Sequence, residues 1–150
     1  MKKIILAIVA LVLVTATSTF AHVTNNETKV DERVERSFKK EFSSAIGTSW
    51  SKINDVYKVQ FELNGQIMFA FLNEEGLVLG AYRNILTSQL PMSLSKSLKE
   101  DYTGYWISEL FEMAKDNQTN YFITIENGEQ KIVLRSENAN FWSVKTKIKK

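Results

Sequence analysis

The chain reads as an α+β protein, two tandem helix-plus-antiparallel-meander repeats forming one sheet with the helices packed on one face. Three observations predict this. In two short segments apolar residues recur at helical spacing. In several others they alternate with polar residues, as in half-buried strands. Asn64-Gly65 and Asn127-Gly128, the dipeptide best suited to a tight hairpin, stand among those alternating segments.

Residues 1–21 have the order of a cleaved secretory signal peptide: Lys2 and Lys3, an apolar run from Ile4 to Val14, then small and polar residues up to Ala21. The run is shorter than the roughly 18 to 20 residues that cross a bilayer, so no stable membrane anchor is expected after cleavage. Residues 22–30 are polar and are expected to be a flexible arm, followed by a single domain over 31–150 with repeats at about 31–86 and 90–149.

Between Asp31 and Ser44, Val34, Phe38 and Phe42 fall on one helical face. Tyr57, Val59, Phe61 and Leu63 then alternate with Lys58, Gln60 and Glu62 as a strand. Asn64-Gly65 leads into Ile67 to Leu72, and Asn73-Glu74-Glu75-Gly76 into Leu77 to Ile85, which completes a three-stranded meander. Pro91 suits the start of a second helix carrying Met92, Leu94 and Leu98. Strands are expected at Tyr105 to Met113, Tyr121 to Glu126, Lys131 to Arg135 and Phe141 to Ile148, with a polar turn at Asp116 to Asn120. Laying Ser37 to Trp50 over Ser93 to Trp106 without a gap matches Phe38 with Leu94, Phe42 with Leu98 and Trp50 with Trp106. The longer stretch before Asn127 places an insertion around Lys115 to Thr119.

Composition narrows the chemistry. The leader lysines account for the whole formal charge of +2, so the mature chain is close to neutral and a nucleic acid is not an expected partner. The absence of cysteine excludes disulfides, thiolate metal sites and a cysteine nucleophile. The one histidine, His22, precedes the folded region, so a Ser-His-Asp relay cannot be assembled; no catalytic residue, metal site or cofactor is expected. Glu109 with Glu112, and Glu126 with Glu129, are the carboxylate pairs a carbohydrate-processing enzyme would need. Scattered among lysines, they read as solvated strand faces.

Three tryptophans, five tyrosines and nine phenylalanines exceed what two short helices need to cover a sheet. Tyr82, Tyr105 and Trp142 are expected on an open sheet face as protein-binding anchors, since aromatics with a polar tip favour interfaces. Trp50 and Trp106 are further candidates, although their repetition in register also fits a core role.

Phe38-x-x-x-Phe42 before Trp50, Tyr57-x-Val59-x-Phe61 into Asn64-Gly65, the turn at Gly76 and Leu90-Pro91 together resemble the PepSY-like, or β-lactamase-inhibitor-like (BLIP-like), proteins of the bacterial envelope. The resemblance spans nearly all of the mature chain. It departs at Phe42-Ser43, where such proteins often carry Tyr-Pro, and at Asn73-Glu74-Glu75-Gly76, where they usually carry Asp-x-x-Gly. It implies a non-enzymatic protein, periplasmic or secreted, that binds or inhibits another envelope or secreted protein. Two other readings stand beside it: a periplasmic carrier of an apolar small molecule lined by Phe61, Phe69, Phe71, Leu79 and Ile123, and the carbohydrate-processing enzyme.

Overall fold

A computed structural model of the protein describes residues 29–115 and 117–150. The leader expected over 1–21, and the expected arm up to residue 28, lie outside the described residues. Helix α1 is Glu32–Glu41. Asp31 caps it, its side chain accepting a 2.8 Å hydrogen bond from the Arg33 N–H. Glu32 and Glu35 in the first turn, with Lys39 and Lys40 in the last, suit the helix dipole. The expected helix ran to Ser44, but the chain leaves helical geometry at Phe42.

Strands β1 (Ile46–Ile53), β2 (Val56–Leu63), β3 (Gln66–Asn73) and β4 (Val78–Asn84) follow. A single 3-10 turn, Thr87–Gln89, leads to α2 (Met92–Asp101) and then to β5 (Trp106–Lys115), β6 (Gln118–Glu126), β7 (Gln130–Ser136) and β8 (Ser143–Lys149). Among the described residues these eight strands form one sheet, every strand antiparallel to its sequence neighbour in the order β1 to β8. The sheet with two helices is the expected α+β architecture. Strand β1 was not expected: its edge position leaves most of it exposed, so Ile-Gly-Thr-Ser-Trp-Ser-Lys-Ile needs no apolar alternation.

Asn64 and Gly65 take φ of 52° and 76°, the two positive values that a type I′ turn requires. The stretch read as an insertion at Lys115 to Thr119 lengthens a hairpin instead. Strands β5 and β6 have 10 and 9 residues against 8 each in β1 and β2, and Gln118 to Asn120 lie inside β6 rather than in a turn.

Helix, four strands, helix, four strands is the order observed, but the register differs from the expected overlay. Glu32 and Met92 open the helices and Ile46 and Trp106 open the first strands, sixty positions apart in both comparisons, so Ile46 rather than Trp50 corresponds to Trp106. A slip of four residues is about one helical turn and still superposes apolar on apolar. Helical periodicity alone cannot detect it.

Both helices lie on the same face. Val34 and Phe38 of α1 pack on Tyr57, Val59, Phe61, Ala70 and Leu72, while Leu94 of α2 packs on Leu110, Ile123, Ile125, Ile132 and Leu134. The halves join through β4 and β5, whose register has only the four pairs from Ala81 with Ala114 to Asn84 with Phe111. Arg83 and Glu112 form a 2.5 Å ion pair across that junction, and Gln66 also accepts from Arg83.

Gly76 joins α1 to the β3–β4 turn. Its φ is +85°, and a methyl group there would lie 2.6 Å from Ser37 Oγ and 3.2 Å from the Arg33 carbonyl oxygen. Gly65, also at positive φ, has nothing within 4 Å of such a methyl. Gly65→Ala is expected to lose about 1–2 kcal/mol through backbone strain alone, and Gly76→Ala more, because α1 must also shift. Urea unfolding of both variants measures the difference; equal losses would mean that Ser37 yields without cost.

Candidate functional site

The face without helices carries its own apolar core. Strand alternation places Phe69 and Phe71 of β3, Tyr82 of β4, Phe111 and Met113 of β5 and Phe122 of β6 on it. Phe71, Tyr82, Phe111, Met113 and Phe122 are all buried. No helix or strand layer covers them among the described residues, so the rings must shield one another. Register shifts interrupt the β1–β2, β3–β4, β5–β6 and β7–β8 pairings, and irregularities of this kind increase local twist.

The rings form a continuous row. Phe69 and Tyr82 stack with centroids 4.7 Å apart, Tyr82 and Phe111 are 5.3 Å apart, and Phe111 and Phe122 stack at 5.0 Å. Each such pair contributes about 0.5–1.5 kcal/mol beyond burial. A cation closes each end: Lys58 Nζ lies 4.9 Å from the Phe69 centroid and 5.9 Å from that of Tyr82, and the Arg135 guanidinium lies 5.4 Å from Phe122. Burial, and then the charge of Glu109, push the Tyr82 phenol far above its usual range, so it stays a neutral donor.

Beside this row the sheet has a notch. Strand β4 ends at Asn84 opposite Phe111, whereas β5 runs back to Trp106. The chain turns away through Ile85 to Thr87 and leaves a cleft of about 620 Å³ lined by Lys58, Phe69, Tyr82, Asn84, Glu109 and Phe111, with the linker as one wall. That volume lies within the roughly 300–1,000 Å³ of small-ligand sites. Glu109 accepts a 2.8 Å hydrogen bond from Thr124 Oγ1.

The five aromatic candidates separate. Tyr82 is at the centre of the row, but at 5% exposure it is a floor rather than the protruding anchor expected. Tyr105 and Trp142 are not on the open face: both pack into the α2 core, where Trp142 Nε1 donates a 3.0 Å hydrogen bond to the Leu94 carbonyl and the Tyr105 hydroxyl accepts one from Gln130. Alternation alone cannot say which face a helix will cover. Trp50 packs edge-on against Phe38 and Tyr57 under α1. Trp106 is 52% exposed, with Lys150 Nζ 4.8 Å from its ring and Glu126 bound to the same ammonium at 2.9 Å. Lys58, Phe69, Glu109 and Phe111 were not singled out together from sequence. Only strand pairing assembles them, although the alternation of Lys58 with Tyr57 and Val59 marks it as facing away from the helices.

The other readings lose their geometry. Phe61 and Ile123 pack under the helices while Phe69, Phe71 and Leu79 belong to the opposite face, so the residues expected to line a carrier cavity share none. Glu109 and Glu112 point to opposite faces, the first toward Thr124 and the second to Arg83. Glu126 is held by Lys150 and Lys131, and Glu129 is exposed.

No family model matches the chain, and no curated protein matches it. Solved structures do. A BLIP-like protein from Bacteroides fragilis superposes with a TM-score of 0.69 over 83% of this chain and 89% of its own, at 13% identity. The fold is BLIP-like. A DUF2874 family protein from Bacteroides ovatus shares the BLIP-like fold at a TM-score of 0.70 over 81% and 89% of the two chains, at 16% identity. A Bacteroides eggerthii protein with a provisional periplasmic assignment shares it at 0.68 over 81% and 90%, at 12% identity. Identities this low carry the BLIP-like fold and nothing finer. No helix among the described residues is long and apolar enough to cross a membrane.

Two titrations probe this face of the BLIP-like sheet. Burial pushes the Lys58 ammonium below the ordinary lysine range, so its ¹³Cε signal should titrate below that range; titration within it would show Lys58 fully hydrated. The Glu126 carboxyl is lowered to about 2, first by its hydrogen bond with Lys150 and then by that with Ser108, with the nearby Lys131 adding. Its folded pKa lies below the unfolded one, so its contribution to stability is complete above the ordinary carboxylate range and is lost as pH falls toward 2. Glu126→Gln should flatten that part of the acid-unfolding curve, and an unchanged curve would contradict the assignment.

Proposed function

We propose that this is a non-enzymatic, exported protein that binds or restrains another protein of the bacterial envelope or its surroundings, using the sheet face that the helices leave bare. One observation carries the reading: that face holds a cation-capped aromatic row and an open notch, whereas the opposite face is occupied by α1 and α2. Large rigid rings with a few desolvated charges are the usual material of protein interfaces. Exposed Leu86 and Ile107 line the notch and add apolar area at its border.

Export rests on the order of residues 1–21 and agrees with the provisional periplasmic assignment of the Bacteroides eggerthii neighbour. The PepSY-like part of the resemblance, and a tandem origin for the two halves, belong to the same reading. The latter is supported by the sixty-residue recurrence of the helix and first-strand starts and by register shifts at the first and third pairings of each half.

The test is a cross-linking capture from native envelope using the chain from residue 22 onward. It compares wild type with a sheet-face variant, Gln60→Arg/Ile67→Asp, and a helix-face variant, Lys39→Glu/Lys96→Glu. A partner lost by the sheet-face variant alone, by tenfold or more, is the expected result. Equal capture by all three, or loss with the helix-face variant only, would refute the assignment of the face.

A further inference from the structure

Among the described residues, Lys58, Lys131, Arg135 and Lys150 reach the helix-free face, and the last three have partners. Lys131 and Lys150 bind Glu126 at 3.6 and 2.9 Å. Arg135 donates to Asn120 at 2.9 Å and pairs with Glu137 at 3.2 Å. Lys58 has no carboxylate within ion-pair distance and no hydrogen-bond acceptor among the described residues; only the Phe69 and Tyr82 rings face its ammonium. A half-buried charge compensated by ring faces alone has lost hydration without recovering it from an anion, an arrangement stabilised when an anion arrives.

The notch around Lys58 specifies that anion further. Its floor is aromatic, so the group next to the negative charge must be apolar or planar. Glu109 lines the same cleft but is engaged by Thr124 and not by Lys58. Its charge disfavours an anion beside β5, so an acid entering the cleft is oriented toward Lys58 on the β2 side. The opening is flanked by residues of high exposure, Leu86 at 70% and Ile107 at 40%. An apolar border around one desolvated charge is the pattern of an interface hot spot, and a free small acid would leave that border in water.

We infer that the notch at the end of β4 is a carboxylate-accepting site in which Lys58, over the Phe69 and Tyr82 rings, receives one acidic side chain from a partner polypeptide. This rests on the platform reading above and names the chemistry of its anchor.

The test is an amide NMR titration of the chain from residue 22 onward with three probes: the blocked tripeptide acetyl-Phe-Glu-Gly-amide, its Gln counterpart, and 3-phenylpropionate. The Glu peptide should give saturable shifts at Lys58, Phe69, Tyr82 and Glu109. The Gln peptide should bind at least tenfold more weakly. Lys58→Met, which keeps the aliphatic stem over the rings, should abolish the difference between the two peptides, and Lys58→Arg should retain it. Unchanged amide dispersion in β6 and β7 would confirm that both variants are folded. Absence of saturable shifts, equal affinity for the two peptides, or a difference that survives in Lys58→Met would each refute the site. Tighter binding of 3-phenylpropionate than of the Glu peptide would refute the polypeptide source. The platform is judged separately: a partner captured equally by wild type and Lys58→Met, but lost by Gln60→Arg/Ile67→Asp, would leave the platform standing and remove the anchor.

Discussion

Everything in this molecule depends on a short seam. Two helix-covered halves are joined through the four register pairs of β4 and β5, as few as in any pairing of the sheet. Such a ladder is not held by backbone hydrogen bonds alone. On one face Tyr82 meets Phe111 across the seam at 5.3 Å, continuing the stack from β3 to β6. On the other, Arg83 meets Glu112 at 2.5 Å. The seam is thus gripped from both sides, by dispersion on one and by charge on the other. The notch and the seam share one cause: β4 stops short because the chain must leave the sheet there to begin α2. What weakens the sheet also opens the cleft.

The helix-free face illustrates how a sheet with only one helical layer disposes of its second apolar surface. An antiparallel sheet can leave one face to water when that face is polar, but Phe69, Phe71, Tyr82, Phe111 and Phe122 are far too apolar for that. The rings pack on one another, and Lys58 and Arg135 lie over the two ends of the row. Their stems bury apolar area while their charges remain at the boundary. The result is a rigid floor with a charged border, built without a covering element among the described residues.

Much of this was legible in the sequence. Tyr57, Val59 and Phe61 alternate cleanly because β2 is buried on one side and half-exposed on the other. Asn64-Gly65 fixed a hairpin because few other pairs accept two positive φ angles. Where both faces are buried the signal fades: Phe69 to Leu72 is a continuous apolar run that gives a strand but no polarity. Strand β1 was invisible for the opposite reason, since an edge strand has little to bury. The candidate site was the least legible part. Lys58, Glu109 and the row are brought together from β2 to β6 by register, and sequence placed Tyr105 and Trp142 on an open face because it could not say that α2 would cover them.

Edge treatment differs at the two ends. Strand β8 carries Lys145, Lys147 and Lys149 along an exposed edge, which discourages pairing with another strand. Strand β1 has few charges but its pairing is interrupted by a register shift at Gly47, whose φ is +63°. Between those edges every strand pairs with its immediate sequence neighbours and no strand waits for a distant partner. That meander has a consequence for assembly. Each hairpin closes a short loop with little entropy to overcome, and neighbour-only pairing keeps strand contacts local, the condition for rapid folding of a β-rich chain. A chain that emerges amino end first can therefore lay its strands down one after another. The aromatic row then grows ring by ring in the order of synthesis, and no disulfide is needed to hold an unfinished intermediate.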